Sequence, residues 1–337
     1  MNPRRAEVEI EYQGLNITST ISQFMTSFSY TDNGTGQADD LQLTLEDREG
    51  NWRKPWLPKD GDRIKAKINL PSWENSGKTL YLNCGVFAVD SVNFSGPPET
   101  VAIKAASLPA NSKLKNERST KAWEKVSLSQ IARKIAAAAG MKVMMETQDV
   151  KFDRLDQTEQ TGIGFLEEVA SKEGVSVKVT NDTIVLFDDR KYESMPPVRS
   201  IKRGESNLKS HNFDLSTTDA AYAACTITYL MTKKKKKTTI TGTYRIPGKT
   251  GPTLKLNERV ASAAEATKKA QKALRNKNKE AEKASLTLMG DPSLMQGVTI
   301  TVAGFGAFDG KYIIDSANHM IGNGYETRIE IRKVLGY

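Results

Sequence analysis

Through the first hundred residues, apolar side chains recur at the two-residue period of half-buried strands: Val8 and Ile10, Phe24, Phe28 and Tyr30, Leu41, Leu43 and Leu45, Ile64 and Ile68. Turn chemistry at Asp32-Asn33-Gly34, Glu49-Gly50-Asn51 and Lys59-Asp60-Gly61-Asp62 separates these runs. Several short antiparallel strands at this spacing predict a small barrel or sandwich. From about residue 107 the period turns helical. Ser127 and Gln130 form a capping-box pattern, Leu128, Ile131 and Ile135 make one stripe, and Gly140 stands where that helix should stop. A second amphipathic helix carries Phe165, Leu166, Val169 and Ala170 and ends at Gly174. It leads into a β-hairpin made of Val175, Val177 and Val179, an Asn181-Asp182 turn, and Ile184 to Phe187. This α/β module closes near Met195-Pro196-Pro197.

Strands resume at Ala224 to Met231 and Thr238 to Tyr244, joined across a run of lysines. A long helix is then predicted from Asn257 to about Ser285, with Val260, Ala263, Thr267, Ala270, Leu274, Lys277, Ala281 and Ala284 at heptad-like positions. So narrow and alanine-rich a seam admits close approach of a neighbour, either the chain's own sheet or a second subunit. Residues 286 to 337 return to the strand pattern, and they repeat the first copy. GVFAVDSVN at 85–93 matches GKYIIDSAN at 310–318, so that Gly85, Asp90, Ser91 and Asn93 recur as Gly310, Asp315, Ser316 and Asn318, with Phe87 against Tyr312. Both copies pass a glycine-bearing turn and reach Glu99-Thr100 and Glu326-Thr327. LQLTLEDREG (41–50) has a looser echo in ASLTLMGDPS (284–293), and GDRIKAKI (61–68) in GVTITVAG (297–304). A strand order repeated at both ends of a chain indicates a duplicated β-domain. Two like domains per chain can turn a three-fold assembly into a pseudo-six-fold one.

These patterns predict an α+β, mainly β protein with two related β-barrel domains, an inserted α/β module and a long-helix insertion. The expected boundaries are 1–106 for the first barrel and 107–198 for the module. The second barrel is expected from 199–232 with 286–337, around an insertion at 233–285 that holds a lysine-rich hairpin loop and the long helix.

Composition narrows the function classes. A length of 337 residues, 38% hydrophobic and 26% charged, fits a globular protein of two or three domains. No apolar run reaches the roughly 18 residues a membrane span needs, and the start, MNPRRAEVEIEYQG, has no apolar core of a signal peptide, so cytoplasmic synthesis is expected. The sequons at Asn16 and Asn33 then have no bearing. Cys84 and Cys225 lie in strand-like runs, which suits buried, small apolar roles. Of the net charge of +9, five units are the run Lys233 to Lys237. The remaining +4 is ordinary, and without interleaved aromatics the run reads as a solvated hairpin loop, with an anionic partner as the alternative.

Candidate chemistry is sparse. His211 and His319 sit in separate β regions without partners at ligand or catalytic spacing, which favours structural or surface roles. The stretch Gly304 to Gly310 imitates a dinucleotide fingerprint, but its third glycine comes one residue late and a strand follows where a helix should start. Gly248-Lys249-Thr250 lacks the first glycine of a phosphate loop, since Thr243 occupies that place. Adjacent acids on a strand point to opposite faces, so neither Asp39-Asp40 nor Asp188-Asp189 converges on one ion; strand capping or an intersubunit salt bridge is the expected use of the first pair. No pair of acids stands out as the two carboxylates a sugar hydrolase sets across a cleft. No catalytic, cofactor-binding or metal-binding residue is therefore nominated, and no cofactor is expected.

Ser27 to Gly34 (SFSYTDNG), Ala38 to Arg48 (ADDLQLTLEDR), Trp52 and Trp56 to Asp62 (WLPKDGD) resemble the late control D family of contractile phage tails. Cys84 to Phe87, Ser95 to Pro98, Ala122 to Glu124, Phe165-Leu166, Asp309 to Ile314 and Gly324 to Thr327 extend the resemblance over essentially the whole chain. The family is also similar to the hub portion of type VI secretion spike proteins. This resemblance implies a baseplate hub of a phage tail or tail-like injection particle: a homotrimer joining the six-fold tail tube protein to the three-fold spike protein around a central channel. Tape-measure protein and other baseplate components would be further partners. It implies no membrane insertion by this chain, and nucleic acid at most in transit through the channel. It transfers no catalytic residue, and a chain closing at Tyr337 after its second strand set leaves no room for a fused cell-wall hydrolase. A peptidoglycan hydrolase at the tail tip and a nucleic-acid-binding protein using Lys233 to Lys237 are the competing readings.

Overall fold

Strand patterning at both ends of the chain resolves into one sheet. The computed structural model describes residues 4–74, 77–107, 117–180, 183–218, 220–233 and 236–337. The amino-terminal part holds β1 (Glu7–Tyr12), β2 (Leu15–Asn16), the short helix α1 (Thr18–Ile21), β3 (Met25–Asp32), β4 (Asp40–Glu46), β5 (Arg63–Pro71), β6 (Thr79–Ser95) and β7 (Thr100–Ala106). Then come β8 (Arg118–Ser127), α2 (Leu128–Ala137), β9 (Lys142–Glu146), β10 (Lys151–Thr161), α3 (Gly162–Lys172), β11 (Ser176–Thr180), β12 (Thr183–Phe187) and α4 (Asp189–Glu193). The remainder is β13 (Arg199–Lys202), β14 (Leu208–Leu215), β15 (Ala224–Lys233), β16 (Lys236–Arg245), β17 (Thr253–Asn257), α5 (Ala263–Asn278), β18 (Glu282–Met289), β19 (Thr299–Ala303), β20 (Gly310–Gly322) and β21 (Gly324–Lys333). The protein is mainly β with segregated helices, as its alternation implies.

The repeat is written into the strand pairing. In the first half the order is β3-β4-β7-β6-β5-β1, and in the second it is β14-β18-β21-β20-β19-β13. Each step of the two series pairs antiparallel except the last of the second, where β13 runs parallel to β19. Ile64 faces Phe87 across one ladder, and its counterpart Ile300 faces Tyr312. The Gly61 N–H donates to the Val89 carbonyl at 2.9 Å and the Val89 N–H to Asp62 at 2.9 Å; Gly297, Ile314 and Val298 reproduce both bonds at 2.9 Å. Register shifts bracket Asp90 in one copy and Asp315 in the other, so the repeated aspartates mark the same β-bulge. One detail of the sequence match moves: Ser95 opposes Thr100 whereas Met320 opposes Glu326, so the equivalent of Thr100 is Glu326, one place earlier than Glu99-Thr100 against Glu326-Thr327 suggests. The stretch from Met320 to Glu326 is one residue longer than that from Ser95 to Thr100.

Each half buries its own apolar set. Ile10, Phe28, Leu43, Ile68, Phe87 and Val101 fill the first, and Leu286, Ile300, Tyr312, Ile314, Ile329 and Ile331 the second. Between them, the predicted module packs α2 and α3 on a three-stranded sheet ordered β11-β12-β9. Ser127 caps α2 by accepting the Gln130 N–H while the Gln130 side chain accepts the Ser127 N–H, the reciprocal box its sequence spells. Gly140 and Gly174 follow α2 and α3 at φ +67° and +68°, a left-handed conformation that stops a helix cheaply only at glycine. The Asn181-Asp182 turn lies outside the described residues, but its flanking strands β11 and β12 pair as a hairpin. The ribbon β8-β10 is a feature the helical reading of this region does not contain.

The insertion departs from expectation. β15 pairs with β16 and β17 and not with the main sheet, so the inserted strands begin at Ala224, ahead of the expected 233. Of the lysine run, Lys233 and Lys236 pair at the end of this hairpin; Lys234 and Lys235 lie outside the described residues. The predicted 257–285 helix is confined to Ala263–Asn278, and Val260, Ala281 and Ala284 fall outside it. Ser262 starts the helix by accepting the Glu265 N–H, and Ala284, Leu286 and Leu288 obey the strand period because β14 and β21 flank them. The buried stripe is Ala266, Ala270 and Leu274, and it packs on the chain's own β15 and β16 rather than a second subunit. At Gly242 of β16 a Cβ would lie 2.5 Å from the Thr267 amide nitrogen and 2.6 Å from the Ala266 Cβ, so only glycine permits this approach. Gly242→Ala is expected to lose about 1–3 kcal/mol in denaturant unfolding, through backbone displacement of α5, while Thr241→Ala, on the same strand, loses less.

Candidate assembly interface

The two halves meet where β20 pairs antiparallel with β3, setting Ala317 against Asp32, Asn318 against Thr31, His319 against Tyr30, Met320 against Ser29 and Ile321 against Phe28. The His319 ring stacks on Tyr30 with centroids 6.1 Å apart. Asn318 donates through Nδ2 to the Thr31 hydroxyl at 2.8 Å and to the Ser29 hydroxyl at 3.2 Å. His319 is fully buried; its Nε2–H donates to the Leu294 carbonyl at 3.1 Å, and its Nδ1 accepts from the Tyr325 hydroxyl at 2.8 Å. That bonding selects the neutral Nε2–H tautomer, and burial holds the imidazole pKa down to about 4. Close approaches seal the joint. A Cβ on Gly34 would lie 2.9 Å from the Asp315 carbonyl oxygen at the bulge, and one on Gly290 would lie 2.0 Å from the Tyr325 ring. Trp73 reaches over from the first half to donate to the Gly290 carbonyl at 2.7 Å.

Two charged clusters tie the module and insertion to this frame. Lys178 on β11 bonds Asp32 and the Asn33 carbonyl (2.9 Å) and lies 3.5 Å from Asp39, while the other Asp32 oxygen accepts the Gln296 N–H at 2.8 Å. One aspartate therefore joins the module to both halves. Asp39 also accepts the Asn33 N–H at 2.9 Å; burial pushes its carboxyl up to about 6, against the pull of Lys178. The second cluster centres on Arg332 of β21, which contacts Glu193 at 2.7 Å, Asp189 at 3.1 Å and Asp315 at 3.2 Å. Arg275 of α5 reaches the other Glu193 oxygen at 2.8 Å, and Lys279 pairs with Asp189. Burial raises the Asp315 carboxyl even so, whereas Lys279 and Arg332 bring Asp189 below the usual range against the cost of its burial.

The sequence-nominated groups are scattered. His211 is exposed on β14 beside Phe213 and Phe305, far in the chain's order from the buried His319. Asp39 is buried and Asp40 exposed, opposite faces as the strand period requires, and the Asp39 ion pair is within the chain. Asp188 caps α4 through the Arg190 N–H, and Asp189 enters the Arg332 cluster. Gly304 to Gly310 is a turn with a short 3₁₀ segment, Gly306–Phe308, leading into β20. Cys84 and Cys225 are buried in different cores. Lys178, Arg275, Glu193 and Arg332 carry no signal in the sequence, because each is one charged residue among many until folding removes it from water. A polar cleft of about 580 Å³ opens between the module and α5, lined by Glu173, Asp188, Lys272 and Arg275, and an apolar groove of about 250 Å³ on the first half is lined by Tyr12, Ile17, Trp52, Trp56 and Leu57.

No protein-family model matches the chain. Its sequence is 26% and 28% identical, over 225 and 226 residues, to proteins named "Probable baseplate hub protein" from Escherichia phages 186 and P2. Each match takes in 66% of this chain and 55% of the relative, so the chain spans about half the length of the curated relatives it matches. The fold is similar to that of a tail protein from Neisseria meningitidis MC58 (TM-score 0.71, 13% identity, covering 98% of this chain and 97% of that one). It is also similar to an E. coli type VI secretion component described as structurally similar to bacteriophage T4 tail proteins (TM-score 0.56, 12% identity, 97% and 77% covered).

Two outcomes follow from the buried titratable groups. His319 stays neutral in the fold while the unfolded chain protonates near 6.5, so its contribution is intact above that pH and is lost as pH falls toward about 4. Denaturant titrations should show a loss of about 3 kcal/mol across that window, and His319→Gln should flatten it. Glu167, pressed beside Gly36 with its Oε1 unpartnered, is pushed by burial up to about 7. Here the folded state holds the proton more tightly, so stability falls as pH rises from about 4.5 to about 7. Glu167→Gln should melt like the parent near pH 4.5 and be more stable at pH 8, by on the order of 1 kcal/mol after discounting for partial exposure.

Proposed function

We propose that this chain is a structural hub of a contractile phage tail or a tail-like injection particle. In this reading three chains form a ring whose six β units meet a six-fold tube on one side and a three-fold spike on the other. The observation that carries it is the duplicated strand order with its repeated bulge and hydrogen bonds, since two equivalent units per chain are what a trimer needs to present six. Similarity to the hub proteins of phages 186 and P2 supports the same assignment.

The chain then divides into a first barrel unit at 1–106, a module at 107–198, and a second barrel unit of 199–215 with 282–337 around the insertion. The Asp32-Lys178 and Arg332 clusters hold the module and insertion rigidly against the ring, which suits a part that bears load when the tail fires. No catalytic step is assigned to it, and its working place is the baseplate. The full-length chain is expected to sediment as a trimer at high concentration and to bind tube and spike proteins expressed from the same genome. A chain that remains monomeric and binds neither would overturn this function. Obligate interfaces of this kind bury more than about 2,000 Å², so the trimer should persist at low micromolar concentration.

A further inference from the structure

The net charge of the chain is concentrated in its insertion. Residues 216–281 hold fifteen of the 49 basic residues and four of the 40 acidic ones, a net +11 where the whole chain carries +9, so everything outside the insertion is slightly acidic. The insertion's sheet, β16-β15-β17, contains no Asp or Glu. On one face Cys225, Ile227 and Leu254 pack against Ala266, Ala270 and Leu274 of α5. The other face is a lattice of hydroxyls. Thr226 opposes Thr243 and Thr228 opposes Thr241, the Thr226 and Thr243 hydroxyls bond at 2.9 Å, and exposed Arg245 and Lys255 stand beside them.

β16 is an open edge of that sheet. It pairs only with β15 among the described residues, through ten successive pairs without a register shift. Its stretch Thr238 to Tyr244 (TTITGTY) has no charge and no proline, and five of its seven residues are β-branched. Edges of this length are ordinarily guarded by a central lysine, a proline or a bulge, or else covered by another segment. This one lacks a guard, and such a stretch pairs readily with a free strand. β17, at the opposite edge, has five residues with Lys255 at its centre. The insertion of a second copy is a poor cover, because two bodies of +11 repel. A phosphate polyanion matches the charge but offers acceptors alone, which leaves the edge carbonyls unmet. A peptide backbone satisfies both N–H and C=O groups.

We infer that β16 receives an extended acidic segment of a partner protein, added as a fourth strand to β16-β15-β17. The two faces of the sheet dictate the pattern of that segment. Apolar side chains would fall beside Ile240 and Tyr244, which pack on the α5 side, and carboxylates would fall beside Thr241, Thr243 and Arg245 on the hydroxyl face. Backbone bonds supply the grip, and the charge of the insertion selects an acidic strand over others. The surface lies within one chain, so it does not depend on the ring.

Titration of the full-length protein with a synthetic peptide as long as β16, in which Glu alternates with Val and Thr, tests the edge directly. The peptide should bind at least about tenfold more tightly than its Lys-for-Glu counterpart. Binding should slow amide hydrogen exchange over residues 238–244 and leave 253–257 unchanged. Arg245→Glu combined with Lys255→Glu, both at exposed positions, should melt like the parent and weaken the peptide severalfold. No binding, equal binding of the two peptides, or binding without slowed exchange over 238–244 would overturn the strand addition. A DNA duplex that binds more tightly than the Glu peptide, with steep salt dependence, would overturn it in favour of a phosphate-binding insertion. Protection of 238–244 on self-association without peptide would make a second copy the cover and overturn it as well.

Discussion

Antiparallel pairing of β20 with β3 is the constraint on which the molecule depends, because it makes one sheet of two copies by joining strands nearly 300 residues apart in sequence. A backbone ladder satisfies polar groups that would otherwise be buried or exposed as an aggregation-prone edge. Its side chains are chosen for a dry site: a neutral histidine stacked on tyrosine, an asparagine spanning two hydroxyls, and isoleucine beside phenylalanine. Glycine at 34 and 290 lets the turn and strand ends close over that seam. Once the seam is fixed, both copies are oriented, and so are the edges they leave open.

Charge then positions what the sheet does not contain. Asp32 sits at the junction of both halves and the module, and Arg332 gathers acids from α4 and the β20 bulge while Arg275 and Lys279 bring in α5. Buried ion pairs contribute little net stability compared with apolar packing, but a charge left without its partner is costly, so such clusters specify one docking arrangement over others. Charge in this way fixes how the module and the insertion sit against the main sheet.

A β-bulge shared by both copies unites the local and the global. The extra residue at Asp90 and Asp315 kinks a long strand so that its first part pairs with one neighbour and its second part is released toward another. In the second copy that released segment meets β3; in the first it pairs only with β7 among the described residues. Duplicated units in a chain are never wholly equivalent, and here the difference lies in which edges are occupied. That difference leaves the duplicated chain with two unlike sheet edges.

Local patterns alone determined much of this protein: the strand period, the Ser127-Gln130 box, the glycine stops at 140 and 174, and the repeat itself, whose Gly85, Asp90 and Phe87 matches fall on the same glycine, bulge and ladder in both copies. These features are set by hydrogen bonds and sterics within a few residues, so they are legible without a fold. Tertiary structure decided the rest. It shortened the alanine-rich helix, because Ala284 and its successors gain more from ladders with β14 and β21 than from another helical turn. It took β15 from the main sheet, chose Lys178 and Arg332 from 49 basic residues, and joined β20 to β3. Partner choice between distant strands and the desolvation of a charge depend on three-dimensional neighbours, which no spacing along the chain encodes.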